Sequence, residues 1–431
     1  MNQSLPQNTG EKSLWGETAI PAPASGNLTN SLTADVLVIG AGYTGLSTAL
    51  HLAEKGVSVI VLEAKNIGFG GSGRNAGLVN AGVWQNPDHV EKILGKDVGQ
   101  RFNLALYDSP SLVFDLVKRF KMDCQASRCG TVNIAHNESG FRHLEKRCQQ
   151  LISLGAAVEL INGETSREIS RSPAYRYGGL LDPLAGTIQP LSYTRSLAIA
   201  AINAGTQIFQ QSPVIALNRE NDNWQAKTAK GRVTAKQIVM ATNAYSEGDN
   251  LKVADSIVPT QIFQCATNPL PEAIAAAIIP QRQGLWDTRL LLTSSRVDHQ
   301  GRLVMSSPGS LSGWDKAIRV NWMTRLRDKL YPQVKGIPWA FHWTGQIGTT
   351  STKILRIQLV APGVYAPSGF NGRGIGVGTV IGKHLAETLV SGDLDTLPFP
   401  VEDLYQEKWR LSRSSYLKLG TLALQFIDKR L

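Results

Sequence analysis

Cysteine is scarce in this chain. Its 431 residues hold four, Cys124, Cys129, Cys148 and Cys265. No two form a C-x-x-C pair, so the spacing resembles neither a disulfide framework nor a thiolate metal site, and no metal is expected. Reduced thiols in a cytoplasmic protein are the expectation. Long apolar runs are also lacking. None approaches the ~18 residues of a membrane span, and the polar first 32 residues hold no apolar stretch like that of a signal peptide. Concentrated basic charge is absent too. Lys and Arg (44) exceed Asp and Glu (34), a net +10, but no five basic residues run together. Without a zinc-finger or RNA-binding signature, nucleic acid is not an expected partner.

What is present suits a two- or three-domain globular protein. Hydrophobic residues make up 42% and charged residues 18%, and 41 glycines imply many tight turns and close backbone approaches. Residues 35–40, Asp-Val-Leu-Val-Ile-Gly, read as a buried strand of a parallel sheet. Residues 44–55 switch to helical spacing, with Leu46, Leu50 and Ala53 on one face and Gly56 as the stop. Residues 57–62 give a second strand, completing a βαβ unit.

At the turn of that unit stands Gly40-Ala41-Gly42-Tyr43-Thr44-Gly45. G-x-G-x-x-G alone is a weak signal; between a buried strand and a helix it is the context that dinucleotide binding requires. Gly40 permits the turn, Gly42 the approach of a pyrophosphate, and Gly45 close helix–strand packing. The helix N-terminus offers free N–H groups to the phosphates. Glu63, 23 residues after Gly40 at the end of the second strand, is positioned for ribose hydroxyls.

That fingerprint does not separate FAD from NAD. Two further glycine clusters favour the longer ligand. Gly71-Ser72-Gly73-Arg74-Asn75-Ala-Gly77 follows the second strand, and Asn371-Gly372-Arg373-Gly374-Ile375 opens a helix over 375–390. Two helix N-termini can serve the two ends of one extended cofactor. The alternatives are a plain flexible loop and a helix-packing glycine.

The remaining chain divides as follows. Residues 1–32 form a loose arm in which Trp15 is the one candidate to dock. The FAD-binding domain is discontinuous, at 33–90, 175–250 and 346–395. Residues 91–174 read as a helical connection or cap. Residues 251–345, alternating in short runs, read as an antiparallel-sheet substrate domain. Residues 396–431 form a basic amphipathic tail, with Leu419, Leu422, Ala423 and Phe426 at helical spacing. A helix packed on the body is the favoured reading of the tail; attachment to a membrane surface or a partner is the other.

Residues 35–45, Leu62-Glu63-Ala64 and Gly71–Leu78 resemble the D-amino-acid-oxidase-like FAD oxidoreductases, a group that includes glycine, sarcosine and γ-glutamylputrescine oxidases. Ala241-Thr-Asn243-Ala-Tyr245, Trp343-Thr-Gly345 and Asn371–Gly374 extend the resemblance over most of the chain. Within the group, Ser13-Leu-Trp15, Gly77–Gly82, Trp286-Asp-Thr-Arg289 and Gly378–Lys383 are similar to the L-pipecolate oxidases, with the γ-glutamylputrescine oxidases next. The resemblance implies an α/β Rossmann-type FAD-binding domain beside an antiparallel-sheet substrate domain. It implies FAD held by the clusters quoted above, with adenine near Val214 and the flavin ring against the second domain. It further implies hydride transfer to flavin N5 from the carbon next to a substrate nitrogen, giving an imine.

Two departures matter. The sarcosine-oxidase branch links FAD to a cysteine near Trp343-Thr-Gly345, but this chain has none after Cys265, so non-covalent FAD is expected. Thr349-Thr-Ser-Thr-Lys353 lacks the Thr-Pro-Asp run of relatives and brings Lys353 near the flavin edge.

Such chemistry needs positioning more than a strong base. Arg289 and Arg373 are candidates to clamp a carboxylate bidentately, Trp343 to wall the pocket or stack on an ammonium, and Asn80 to hydrogen-bond substrate or flavin. A surface ion pair for Arg289, plain core for Trp343 and a structural role for neighbouring His342 are the alternatives. The electron acceptor reads as oxygen or a quinone. Rival functions are a flavin dehydrogenase of a hydroxy acid or polyol phosphate, an NAD-dependent enzyme, and a non-catalytic flavoprotein.

Overall fold

A computed structural model of the chain describes residues 13–246, 251–311, 313 and 315–428. Its first sheet grows from the apolar run in Ser31–Ile39 (β1), which pairs in parallel with Val59–Leu62 (β2), Val36 opposite Val59. The last four residues of β1 and all of β2 are buried, as expected for strands covered on both faces. Between them runs Tyr43–Ala53 (α2), and Gly56 at φ +78° turns the chain back. Arg232–Met240 lies parallel on the other side of β1, followed by Val364–Ser368, while Gln207–Phe209 extends the sheet beyond β2. Arg356–Ala361, in a hairpin with Val364–Ser368, and Val401–Asp403 finish one edge.

Helix Ile375–Ser391 packs on α2 at glycine-to-backbone range. A Cβ on Gly382 would stand 2.6 Å from Ser47 Cβ, and one on Gly378 2.9 Å from Thr44 Oγ1. Ser47 Oγ donates to Thr379 O at 2.6 Å. This α/β arrangement is the Rossmann-type domain that the βαβ reading implies.

The second sheet has eight strands, in the order Trp339–Thr349, Val258–Thr267, Leu303–Pro308, Ser294–Val297, Gly284–Asp287, Thr131–Ile134, Gly179–Asp182 and Glu159–Ile161. It is antiparallel except where Gly284–Asp287 runs parallel to Thr131–Ile134. Three of these strands come from outside 251–345. Thr131–Ile134 and Glu159–Ile161 lie within the stretch read as a helical cap, and Gly179–Asp182 within a piece assigned to the FAD domain. The strand Trp339–Thr349 also runs past 345. Short buried strands are hidden in the sequence for a physical reason. A four-residue buried run such as Thr-Val-Asn-Ile carries no periodicity that separates strand from helix.

Residues 1–12 of the arm lie outside the described residues; over the rest, Trp15 docks as expected and the arm is not loose. From Ser13 it is anchored: Ser13 caps the short helix Leu14–Thr18 (α1), and Leu14 and Trp15 are fully buried. Trp15 meets Trp343 edge-on at 5.7 Å between ring centres, and its Nε1 donates to Asn75 O at 2.8 Å. Trp15→Ala is expected to cost about 3–5 kcal/mol, the usual loss for an aromatic core truncation, read from urea unfolding. A loss below about 1 kcal/mol would mean that the arm is not part of the fold.

The tail forms helix Arg410–Ile427 and packs on the body, but by a different face from the one its spacing suggests. Leu422 and Gln425 are buried, whereas Leu419 and Phe426 are 64% and 72% exposed. The reason lies beneath it. Arg319 is fully buried and needs acceptors. Its Nη1 donates to Gln425 Oε1 at 2.5 Å, and Gln425 Nε2 donates to Pro308 O at 3.1 Å. Among the described residues, no helix is long and apolar enough to cross a membrane.

Candidate active site

The glycine turn after β1 is built as the motif requires. Gly40 has φ +107°, and a Cβ there would sit 2.9 Å from Ala241 O. A Cβ on Gly45 would stand 2.0 Å from Gly40 O, so only glycine lets α2 lie this close to β1. Glu63 stands at the end of β2, where Oε2 accepts from Ala41 N at 2.8 Å and Oε1 from Lys65 N at 2.8 Å. Burial pushes its carboxyl pKa up, and these N–H groups pull it back. A carboxylate has about four lone-pair sites, which leaves capacity for a ribose diol. Ala64 follows, and Ser212 N donates to Glu63 O at 2.9 Å, two residues before the half-buried Val214.

The second cluster folds as a 3₁₀ turn, Gly71–Gly73, pinned from within. Ser72 Oγ accepts from Tyr43 N at 3.1 Å, and Ser72 O from the Tyr43 hydroxyl at 2.5 Å. Asn75 Nδ2 donates to Tyr43 Oη, Gly71 O and Ser72 O, each at 3.0 Å, while its Oδ1 accepts from Gly77 N. Asn75 thus shapes the turn through its side chain. Leu78 begins a two-residue strand paired with Gly186–Thr187. Arg74 O accepts from Trp343 Nε1 at 3.0 Å, its guanidinium lies 4.3 Å over Phe69, and Gly345 packs against its Cβ.

The third cluster is tied to both domains. Asn243, at φ +44°, accepts from Gly369 N at 3.0 Å, and Asn371, at φ +53°, accepts from Thr350 N at 2.9 Å. Gly372, at φ +87°, turns the chain to Arg373, and Gly374 caps helix Ile375–Ser391. The two cradle turns, the free helix N-termini and the acidic strand end fit an extended dinucleotide such as FAD.

Beside this third turn lies a cavity floored by the second sheet. Alternation along paired strands sets its floor. Trp286 pairs with Asn133, and Asn133 with Leu180; Thr131 pairs with Asp182. These five residues line the cavity together, and Asn80, Tyr107, Arg147 and Arg373 close it. Arg373 is 7% exposed and sandwiched between two indoles, 4.6 Å from the Trp84 ring and 4.7 Å from Trp286. One of its nitrogens, Nη1, donates to Ala81 O at 2.5 Å; Nε and Nη2 have no hydrogen-bond partner. Asn80 Oδ1 and Asn133 Oδ1 are likewise unpaired. Burial, with the neighbouring Arg147 charge, holds the Arg373 pKa below the usual guanidinium range. The Asp182 carboxyl offsets part of this lowering, and burial raises its own pKa. Arg147 is engaged elsewhere: its Nη1 and Nη2 donate to Trp84 O, Gln85 O and Val83 O at 2.7–3.0 Å. It holds the loop that carries Trp84, whose Nε1 donates to Asn371 O at 2.6 Å.

Of the four residues expected to act on substrate, Asn80 and Arg373 meet in this cavity. Arg289 and Trp343 do not line it. Trp343 is core against Trp15, and its neighbour His342 lies outside the cavity as well. Asp287, one residue from Trp286, points to the opposite face of its strand, where Arg289 Nε lies 3.5 Å from Asp287 Oδ2. Strand alternation separates the pair from the site. Lys353 (φ +59°) lies outside the cavity beside Glu407 and Arg413; burial is the main cause lowering its pKa. Sequence reasoning missed Trp84, Arg147 and Asp182, which are scattered over about 100 positions and carry no local motif.

The Asp287 pair carries a pH signature. Burial pushes its carboxyl up to about 6 from 3.8, with Arg289 and two backbone N–H groups offsetting part of the rise. The folded-state pKa is the higher, so this group's stabilisation is full below pH ~4 and is lost as pH climbs through about 6. Asp287→Asn should therefore gain on the native protein across that window, by about 3 kcal/mol in all. Thermal unfolding between pH 4 and 8 checks it; parallel curves for the two proteins would contradict it.

The family model for FAD dependent oxidoreductases (DAO) matches residues 35–388, and the chain belongs to this family. It is an FAD-dependent oxidoreductase. A probable oxidoreductase OrdL of Haemophilus influenzae is 31% identical over 416 residues, covering 93% of this chain and 94% of that protein. The γ-glutamylputrescine oxidoreductase of Escherichia coli K12 is 31% identical over 371 residues, covering 85% and 86%. Among solved structures, glycine oxidase from Geobacillus kaustophilus superposes with a TM-score of 0.69 at 18% identity, covering 87% of this chain and 99% of its own. L-Proline dehydrogenase from P. horikoshii gives 0.70 at 18%, covering 89% and 99%. These likenesses show the shared fold.

Proposed function

We propose that the enzyme oxidises the C–N bond of a small amine that carries a carboxylate, with L-pipecolate as the first candidate. The observation that carries this reading is Arg373, a buried cation clamped between Trp84 and Trp286 with Nε and Nη2 unpaired. A carboxylate satisfies both nitrogens and brings opposite charge to the buried guanidinium at once. Bound FAD supplies the acceptor for a hydride from the carbon next to nitrogen. The chain's own residues do the rest. Arg373 anchors the acid group and sets the substrate's orientation, the two indoles exclude water from the ion pair, and Asn80 Oδ1 accepts an N–H of the amine.

A second reading, γ-glutamylputrescine, is favoured by the 31% identical relative of that activity. It too carries a carboxylate for Arg373, but one remote from the reacting carbon. FAD is held without a covalent bond, the acceptor is oxygen or a quinone, and the setting is cytoplasmic.

Turnover of a panel decides among these: L-pipecolate, γ-glutamylputrescine, sarcosine, D-amino acids and glycerol 3-phosphate. Imine formation from L-pipecolate supports the first reading, and from γ-glutamylputrescine alone the second. Oxidation of glycerol 3-phosphate and no amine would sink both.

A further inference from the structure

We propose that helix Arg410–Ile427 is an interfacial element that seats the enzyme on an anionic lipid bilayer. The helix is turned inside out relative to an ordinary surface helix. Toward the body it presents Ser414 and Gln425 as well as Leu422; Ser414 Oγ donates to Pro259 O at 2.7 Å. Toward solvent it presents rings and aliphatic chains. Trp409 is 79% exposed, Tyr416 76%, Phe426 72%, Leu419 64% and Ile427 63%. At 100° per residue, Tyr416, Leu419, Phe426 and Ile427 fall within about 100° of one another, so these exposed groups share one broad face, with Trp409 at the helix's N-cap. Faces of this kind on a folded protein mark a surface that something covers.

Charge decides what covers it. From Lys408 to the last residue the sequence has six basic residues and one acidic residue, half of the net +10 of the whole chain. Arg410 and Arg413 lean on Asp255 and Glu407, whereas Lys408 and Lys418 are exposed. A second copy docked on this face would bring like charges together, which is costly. An anionic bilayer supplies the opposite charge for the cations and an apolar boundary for that face. Trp and Tyr sit well at headgroup depth, and Phe and Leu suit the buried face of an interfacial helix. The helix lies on such a surface and does not cross it.

The root of the helix is tied to the catalytic half of the molecule. Glu407, paired with Arg413 at 2.9 Å, accepts from Ser351 N at 2.6 Å, and the adjacent Thr350 N is held by Asn371. Docking through this helix therefore fixes the orientation of the cofactor turn to the bilayer.

The test sediments the full-length holoenzyme with vesicles of phosphatidylglycerol and phosphatidylcholine, and with phosphatidylcholine alone, at low and high salt. The expected result is binding to the anionic vesicles at least about tenfold tighter than to the neutral ones, weakened by salt. The triple variant Tyr416→Ser/Phe426→Ser/Ile427→Ser should bind about tenfold or more weakly with its flavin absorbance unchanged. If that variant fails to fold, the exposed pair Lys408→Gln/Lys418→Gln decides, with a loss of about tenfold on anionic vesicles. Absence of binding to either vesicle, or binding that neither variant weakens, would overturn the proposal. So would a dimer in light scattering that the triple variant splits while vesicles are ignored, because a second copy would then cover the face.

Discussion

Arg373→Met is expected to lower kcat/KM for a carboxylate-bearing amine by about 10²- to 10³-fold. The estimate follows from the site. Removing one partner of a buried, hydrogen-bonded charge pair costs about 2–5 kcal/mol, and each 1.4 kcal/mol is a factor of ten. Methionine keeps much of the apolar volume between Trp84 and Trp286, so the cavity stays filled and the loss is one of charge and fork geometry. The effect should be selective. An amine without the carboxylate gains nothing from Arg373, so its turnover should change little and the preference for the acid should vanish. Arg373→Lys should recover part of the loss, because an ammonium keeps the charge but not the bidentate contact or the stacking on two indoles. Flavin content must remain that of the native enzyme. A variant that stays yellow and keeps its preference for the acid would remove Arg373 from the substrate's path.

Gly45→Val is expected to yield protein that loses FAD, with affinity lower by about a hundredfold or more. Even a methyl group there would stand 2.0 Å from Gly40 O, 3.1 Å from Val38 Cγ1 and 3.2 Å from Ala241 Cβ. The atom met is backbone, so nothing flexible can give way, and α2 must back off the strand that carries the pyrophosphate turn. Overpacking typically costs about 1–3 kcal/mol and occasionally more, and a clash this close with backbone belongs at the upper end. Gly26→Ala is the control: a Cβ there meets nothing within 4 Å, and its flavin content should match the native protein. Visible absorbance of the purified variants reads the result. Full flavin content in Gly45→Val would mean that the turn after β1 does not hold the cofactor.

The cofactor half of the molecule was legible because each motif residue answers to a local backbone need. Gly40, Gly56 and Gly372 stand at positive φ, and Gly40 and Gly45 where a close approach leaves no room for a side chain; sequence carries such needs directly. The substrate half was less legible. Its cavity floor is assembled from Thr131, Asn133, Asp182 and Trp286 on four-residue strands, and register alone brings them to one face. The same rule separated the two arginines proposed as clamps. Arg373 inherits its position from a motif, whereas Arg289 follows a strand whose alternation sends Asp287 to the far side. Trp15 docks and the C-terminal helix packs on the body as expected; the arm's order and the helix's inward face differ from the sequence reading for a related reason. Composition made the arm look loose and spacing gave the helix an apolar inner face, but tertiary partners decided both: Asn75 O recruits the Trp15 indole, and the buried Arg319 draws Gln425 inward.

The most direct test of the account is to follow the visible spectrum of the purified enzyme without oxygen while adding L-pipecolate or piperidine, the same ring without its carboxylate. Bleaching of the flavin bands by L-pipecolate, and little or none by piperidine, is the predicted result. Bleaching by both at comparable rates, or by neither the pair nor γ-glutamylputrescine, would contradict the claim that Arg373 anchors a carboxylate-bearing amine for oxidation.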